Sequence, residues 1–164
     1  MKIIQEFLDR GNHLYHASKT SGIKVLEPQS HKLAEKPVVF ATPNALFAIS
    51  MIHGTNGDIA VGYFSDSDTG YRDFVIDELK PNKFQLIKNP GSLYILPTKG
   101  FIKTPHLMRE EVISYKSVKI IKEIKIRNVY EYLMKAKGVR LVKYADISDD
   151  WDRRGKNMNP KMGI

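Results

Sequence analysis

Residues 12–18, Asn-His-Leu-Tyr-His-Ala-Ser, set two histidines and a serine in an apolar-alternating segment. That composition suits the floor of a site better than a core strand. With a side-chain period of two, Leu14, His16 and Ser18 share one face, and His13, Tyr15 and Ala17 share the other. The two histidines point apart, so this strand by itself does not supply the converging ligands a metal needs. Ser18 is close to His16, but two side chains on one strand do not make a nucleophile and its base, and no nucleophile elbow is present. The competing reading of these residues is a buried, hydrogen-bonded histidine in an ordinary strand. Farther along, Glu110-Glu111 offers two adjacent carboxylates. Strand neighbours point to opposite faces, so only one of them can enter a given cleft; the alternative is that both are solvated edge charges.

The elements that must position these groups follow from periodicity. Ile3, Ile4, Phe7 and Leu8 have helical spacing and end at Gly11-Asn12. After the His16 strand, Lys19–Gly22 is a polar turn and Ile23–Pro28 a short extended piece. Residues 29–36 are polar and basic, a surface loop, and Val38–Ala41 is a continuous apolar run that suggests a strand buried on both faces. Thr42-Pro43 signals a helix start, with Ala45, Ala48, Ile49 and Ile52 as its apolar stripe and His53-Gly54 as its end. Ile59–Phe64 and Tyr71–Ile76 read as a hairpin around an Asp-Ser turn that lacks the glycine and distal glutamate of a calcium loop. Lys83–Ile87 and Ser92–Leu96 read as short strands, as do Arg109–Tyr115 and Val118–Arg127, the last with its lysines on a solvated face. Asn128–Glu131 has capping-box spacing and opens a helix that runs toward Gly138, and Val139–Tyr144 closes the series as a strand.

Composition narrows the function classes. The chain has 164 residues, 42% of them hydrophobic, which suffices for one domain with its own core. Its 26 basic and 18 acidic side chains give a formal charge of +8. Such a balance favours polyanions, although solubility alone also accounts for it. Without cysteine there are no disulfides and no thiolate zinc or iron–sulfur sites; no metal is expected. No apolar run approaches a membrane span and the first residues lack a signal-peptide core, so a soluble cytoplasmic protein with no membrane partner is expected. Gly-x-Gly-x-x-Gly after a strand, a phosphate-binding loop and His-Glu-x-x-His are all missing. Aromatics interleave with basic residues from Tyr115 to Tyr132, a pattern that suits nucleic acid but that any amphipathic β–α unit of a basic protein shares.

Three stretches together resemble the successive motifs of the ADP-ribosyltransferase superfamily: Tyr15-His16-Ala17-Ser18, Val39-Phe40-Ala41-Thr42 leading into Ala45-Leu46-Phe47, and Glu110-Glu111-Val112-Ile113 after an irregular loop. The likeness is to the diphtheria-toxin and poly-ADP-ribose-polymerase branch and spans roughly residues 12 to 127. There the first strand carries His-Gly-Ser or His-Gly-Thr, the second region an aromatic-Phe-Ala strand and a helix with a stacking tyrosine, and a later strand the catalytic glutamate. The resemblance implies an α+β domain over residues 1–145, with a split, mainly antiparallel β core and peripheral helices. A basic tail, 146–164, would follow, either disordered or docked through Trp151.

The resemblance also implies a role for each matching residue. Glu111 would be the catalytic carboxylate, its Glu-Val-Ile being similar to the Glu-Val-Leu of DNA-targeting ADP-ribosyltransferase toxins, with Glu110 as the rival. His16 would bind the adenosine ribose of NAD, Ser18 would supply the hydroxyl that follows it, and Ala17 would replace the glycine whose backbone meets the nicotinamide carboxamide. Phe40 and Thr42 belong to the second motif, and Phe47 resembles the stacking tyrosine without its hydroxyl. Val39 stands where another tyrosine would be. The implied function is transfer of ADP-ribose from NAD, a substrate, to a protein or nucleic-acid acceptor. The alternative is a catalytically inactive nucleic-acid-binding or regulatory module of the same fold, favoured by Ala17 and Val39. A related RNA 2′-phosphotransferase ranks lower, because no arginine-rich pattern surrounds His16.

Overall fold

Strand pairing in the computed structural model, which describes residues 13–32, 34–65, 72–104 and 111–151, is mainly antiparallel and mostly joins segments far apart in sequence. The protein is α+β, with several small sheets and few short helices. The chain divides into two compact units, Met1–Ile52 with Pro90–Arg127 and His53–Asn89 with Asn128–Ile164, where the sequence suggests one domain over 1–145. The expected N-terminal helix lies outside the described residues, as do the Asp-Ser turn, Glu110 and the tail from residue 152. Among the described residues no helix is long and apolar enough to cross a membrane.

The first unit holds the His16 strand, β1 (Leu14–Ser18). It pairs with β6 (Gly91–Leu96), which pairs in turn with β9 (Lys122–Ile126), all antiparallel. β2 (Val25–Leu26) pairs with β8 (Val118–Lys119), and β3 (Val39–Ala41) with β7 (Val112–Ser114). The stretch expected as one strand from Val118 to Arg127 is broken at Ile120-Ile121. The reason is that Val118 packs with Leu14, Leu26, Val39, Tyr94 and Leu96 in one core cluster while Ile121 turns out to solvent. On the other face of β1 lies helix α1 (Ala45–Ser50), six residues long and too short to persist alone. It is held by burial of Ala45, Phe47, Ala48 and Ile49, at roughly 1.5–3 kcal/mol for each large side chain. Its cap is Asn44, whose Oδ1 accepts from the Phe47 N–H at 3.1 Å, and not Thr42, whose hydroxyl instead accepts from Asn44 N–H. Gly91 is required by close approach, since a Cβ there would fall 2.5 Å from the Ile52 side chain.

The second unit contains β4 (Ile59–Ser65) and β5 (Arg72–Glu78), the expected hairpin strands, and β10 (Val139–Val142), which joins β5 in parallel. Helix α2 (Val129–Lys135) starts where the capping signal put it, with Asn128 Oδ1 accepting from Glu131 N–H. Lys83–Ile87, expected as a strand, is a 3₁₀ helix. Its buried residues are Phe84 and Ile87, three apart, while Leu86, which a strand would place beside Phe84, is exposed. Trp151 is half exposed, its indole N–H donating to Asp77 at 3.2 Å.

Candidate functional site

A single backbone pair defines the site. Tyr15 and Thr42 exchange both bonds, N–H of Tyr15 to the carbonyl of Thr42 at 2.8 Å and the reverse at 2.9 Å. Antiparallel pairing would next set Ala17 against Phe40, yet among the described residues β1 and β3 form no bridge there. The strands part. The His16 ring spans the gap instead, with Nδ1 2.9 Å from the Phe40 carbonyl oxygen. A carbonyl only accepts, so Nδ1 carries the proton and Nε2 remains an acceptor, without a partner among the described residues. Burial lowers the His16 pKa from 6.5, the Phe40 bond opposing it, so the ring is neutral at physiological pH.

Among the described residues the parted strands leave an unpaired backbone edge. Groups two residues apart on a strand point to the same side. The N–H and C=O of Tyr15 point at β3, so those of Ala17 point into the split. One donor and one acceptor stand there side by side.

This edge borders a cleft of about 140 Å³. Tyr15, Phe40 and Phe47 give it aromatic walls, and Ala48 and Met51 of the α1 region give it an apolar one. Glu111 reaches it from the far side. Continuing the β3–β7 register by one residue brings Glu111 level with Thr42, so Tyr15, Thr42 and Glu111 form a row across three neighbouring stretches. Lys103 Nζ donates to the Glu111 carbonyl at 2.8 Å, and Ile102 and Ile113 exchange both backbone bonds just beyond, which fixes the chain where the carboxylate leaves it.

Of the residues singled out from sequence, His16, Ala17, Phe40, Thr42, Phe47 and Glu111 all line this cleft. Ser18 does not: its Oγ accepts from Thr20 N–H at 3.1 Å and shapes the turn. Glu111 lies one residue before β7 rather than within the longer strand expected from Arg109. Val39, weighed as a lost aromatic wall, is buried in the core cluster and takes no part in the cleft. Tyr15 supplies aromatic surface that sequence reasoning overlooked, although the alternation that put it opposite His16 was the available signal. A second hollow, of about 400 Å³, adjoins the cleft and shares His16 and Phe40 with it; Ile23, Leu26, Val38 and Val39 make its apolar lining. Among the described residues no cluster of three His, Asp or Glu could hold a metal.

The chain matches no family model, no curated protein and no solved structure.

Proposed function

We propose that the first unit binds NAD and transfers its ADP-ribose to an acceptor nucleophile. The observation that carries this reading is the convergence of His16, the Ala17 backbone edge and Glu111, nearly a hundred residues apart in sequence, on one small cleft. A ligand site for a whole small molecule typically measures ~300–1,000 Å³. The cleft is smaller, and suits one ring-sized group with the rest of the ligand outside. A nicotinamide carboxamide presents one donor and one acceptor, the complement of the Ala17 N–H and C=O. The aromatic side chains of Tyr15, Phe40 and Phe47 surround its ring with apolar surface. His16 Nε2, an acceptor, takes a ribose hydroxyl, and the adenosine half continues into the adjoining hollow.

The chemistry then needs a carboxylate. As the bond from the ribose C1′ to nicotinamide breaks, its electron pair goes to the ring nitrogen, nicotinamide leaves neutral, and positive charge develops on the ribose. Glu111 stabilises that charge. The acceptor atom bonds to C1′ and gives up its proton to solvent. The formal charge of +8 favours a polyanionic acceptor such as single-stranded DNA or RNA.

Nicotinamide release from NAD, with water and then nucleic acid or cell extract as acceptor, tests the reading. Glu111→Gln should lower release by about two to three orders of magnitude while leaving NAD affinity nearly unchanged, because the carboxylate acts on charge present only in the transition state. Binding without release by the wild type would favour the second reading, a non-catalytic NAD-binding module. The specific feature on its side is Ala17, whose methyl group narrows a cleft where glycine would widen it.

A further inference from the structure

The turn that follows the His16 strand is tied to the sheet through the backbone of Thr20, Gly22 and Ile23. Tyr94, fully buried and next to His16 in the β1–β6 register, donates its hydroxyl proton to the Thr20 carbonyl at 2.7 Å and accepts from the Ile23 N–H at 3.3 Å. Glu123, opposite Tyr94 in the β6–β9 register, accepts from the Gly22 N–H at 3.0 Å and from Ser92 Oγ at 2.7 Å. The Tyr94 hydroxyl has one proton and spends it on Thr20, so the Glu123 oxygen 3.3 Å away gets its protons from Ser92 and Gly22. Those bonds, Ser92 first, hold the Glu123 carboxyl below the usual carboxylate range. Gly22 turns the chain at φ +79°, a conformation that only glycine adopts freely. At the end of the turn Ile23 lines the hollow beside His16.

We propose that Tyr94 and Glu123 are positioning residues that latch the turn of residues 19–24 onto the sheet and so fix the wall of the hollow that receives the ADP half of the ligand. This rests on the NAD reading and names residues outside the hollow that hold its wall in place. The latched turn touches the hollow through Ile23, and neither Tyr94, Glu123 nor any residue of the turn lines the nicotinamide cleft.

Two probes separate the compartments: nicotinamide for the cleft and ADP-ribose for the hollow, each titrated by calorimetry into the full chain. Glu123→Ala and Tyr94→Phe should each weaken ADP-ribose by roughly tenfold, since each removes hydrogen bonds that hold the turn. Nicotinamide binding should stay within about twofold, which also shows that the variants are folded. Glu123→Gln keeps an acceptor oxygen for Gly22 and should restore most of the ADP-ribose affinity. An equal loss of both probes, or no loss of ADP-ribose, would overturn the proposal. Wild-type protein that binds nicotinamide but not ADP-ribose would overturn it while leaving the cleft reading intact, and wild-type protein that binds neither would remove both.

Discussion

In the sheet of β4, β5 and β10, pairing runs unbroken from Ile59–Glu78 to Ser65–Arg72, and the buried carboxylates are used to tie the chain together. Glu78 accepts from the backbone N–H groups of Phe84 and Tyr144, Asp77 from the Trp151 indole, and Asp58 pairs with Lys80 and Lys83. Along the seam between β1 and β3 the pairing stops after one residue pair. A histidine side chain replaces the missing backbone bond and keeps one nitrogen available. Unpaired backbone next to buried surface is costly, and proteins rarely leave it so. The contrast separates a region whose polar groups serve folding from one whose polar groups are left facing a cleft.

Two substitutions sharpen that difference. Glu78→Ala strands two backbone donors at a buried site and should cost roughly 2–4 kcal/mol of stability, read from a denaturant midpoint, with NAD affinity of the folded protein unchanged. His16→Ala should do the reverse. NAD affinity falls by about tenfold or more, while stability drops by only about 1 kcal/mol for the lost bond to Phe40. If both variants changed stability and binding in the same proportion, the contrast between the regions would not hold.

A smaller effect concerns pH. The His16 pKa in the folded protein lies below 6.5 because burial disfavours the charged ring. Below that ordinary value the unfolded chain therefore binds more protons at this position than the folded one. Stability falls as pH is lowered from 6.5 toward the depressed folded value, and levels off once both states are protonated. Ligand affinity falls in the lower part of that range, when Nε2 gains a proton and can no longer accept. A thermal-stability series across this window, compared with His16→Gln, should show a slope in the wild type that is reduced in the variant.

How much of this was legible in the sequence depended on whether the deciding contact was local. The Asn128 cap and the β4–β5 hairpin are set by neighbours a few residues away, and their signals sufficed. Lys83–Ile87 was ambiguous because five residues hold too little periodicity to tell a strand from a 3₁₀ turn, and the Glu78 bond to Phe84 N–H comes from outside the segment. The role of Glu123 was not legible, since nothing local reveals that Gly22 and Ser92 meet it. His16, Phe47 and Glu111, which line one cleft, were singled out by resemblance of motif. The split that makes room between β1 and β3 is a property of pairing across the fold, and alternation within one strand does not encode it.

If the proposed function holds, the Ala17 backbone edge receives a carboxamide. Titrating nicotinamide into uniformly ¹⁵N-labelled protein and following amide shifts tests it directly. The Ala17 amide should move most, with smaller shifts at Tyr15, Phe47 and Glu111, because a new hydrogen bond forms at that one N–H. A saturable response centred instead on the β4–β5–β10 unit, or none at any amide of the cleft, would contradict it.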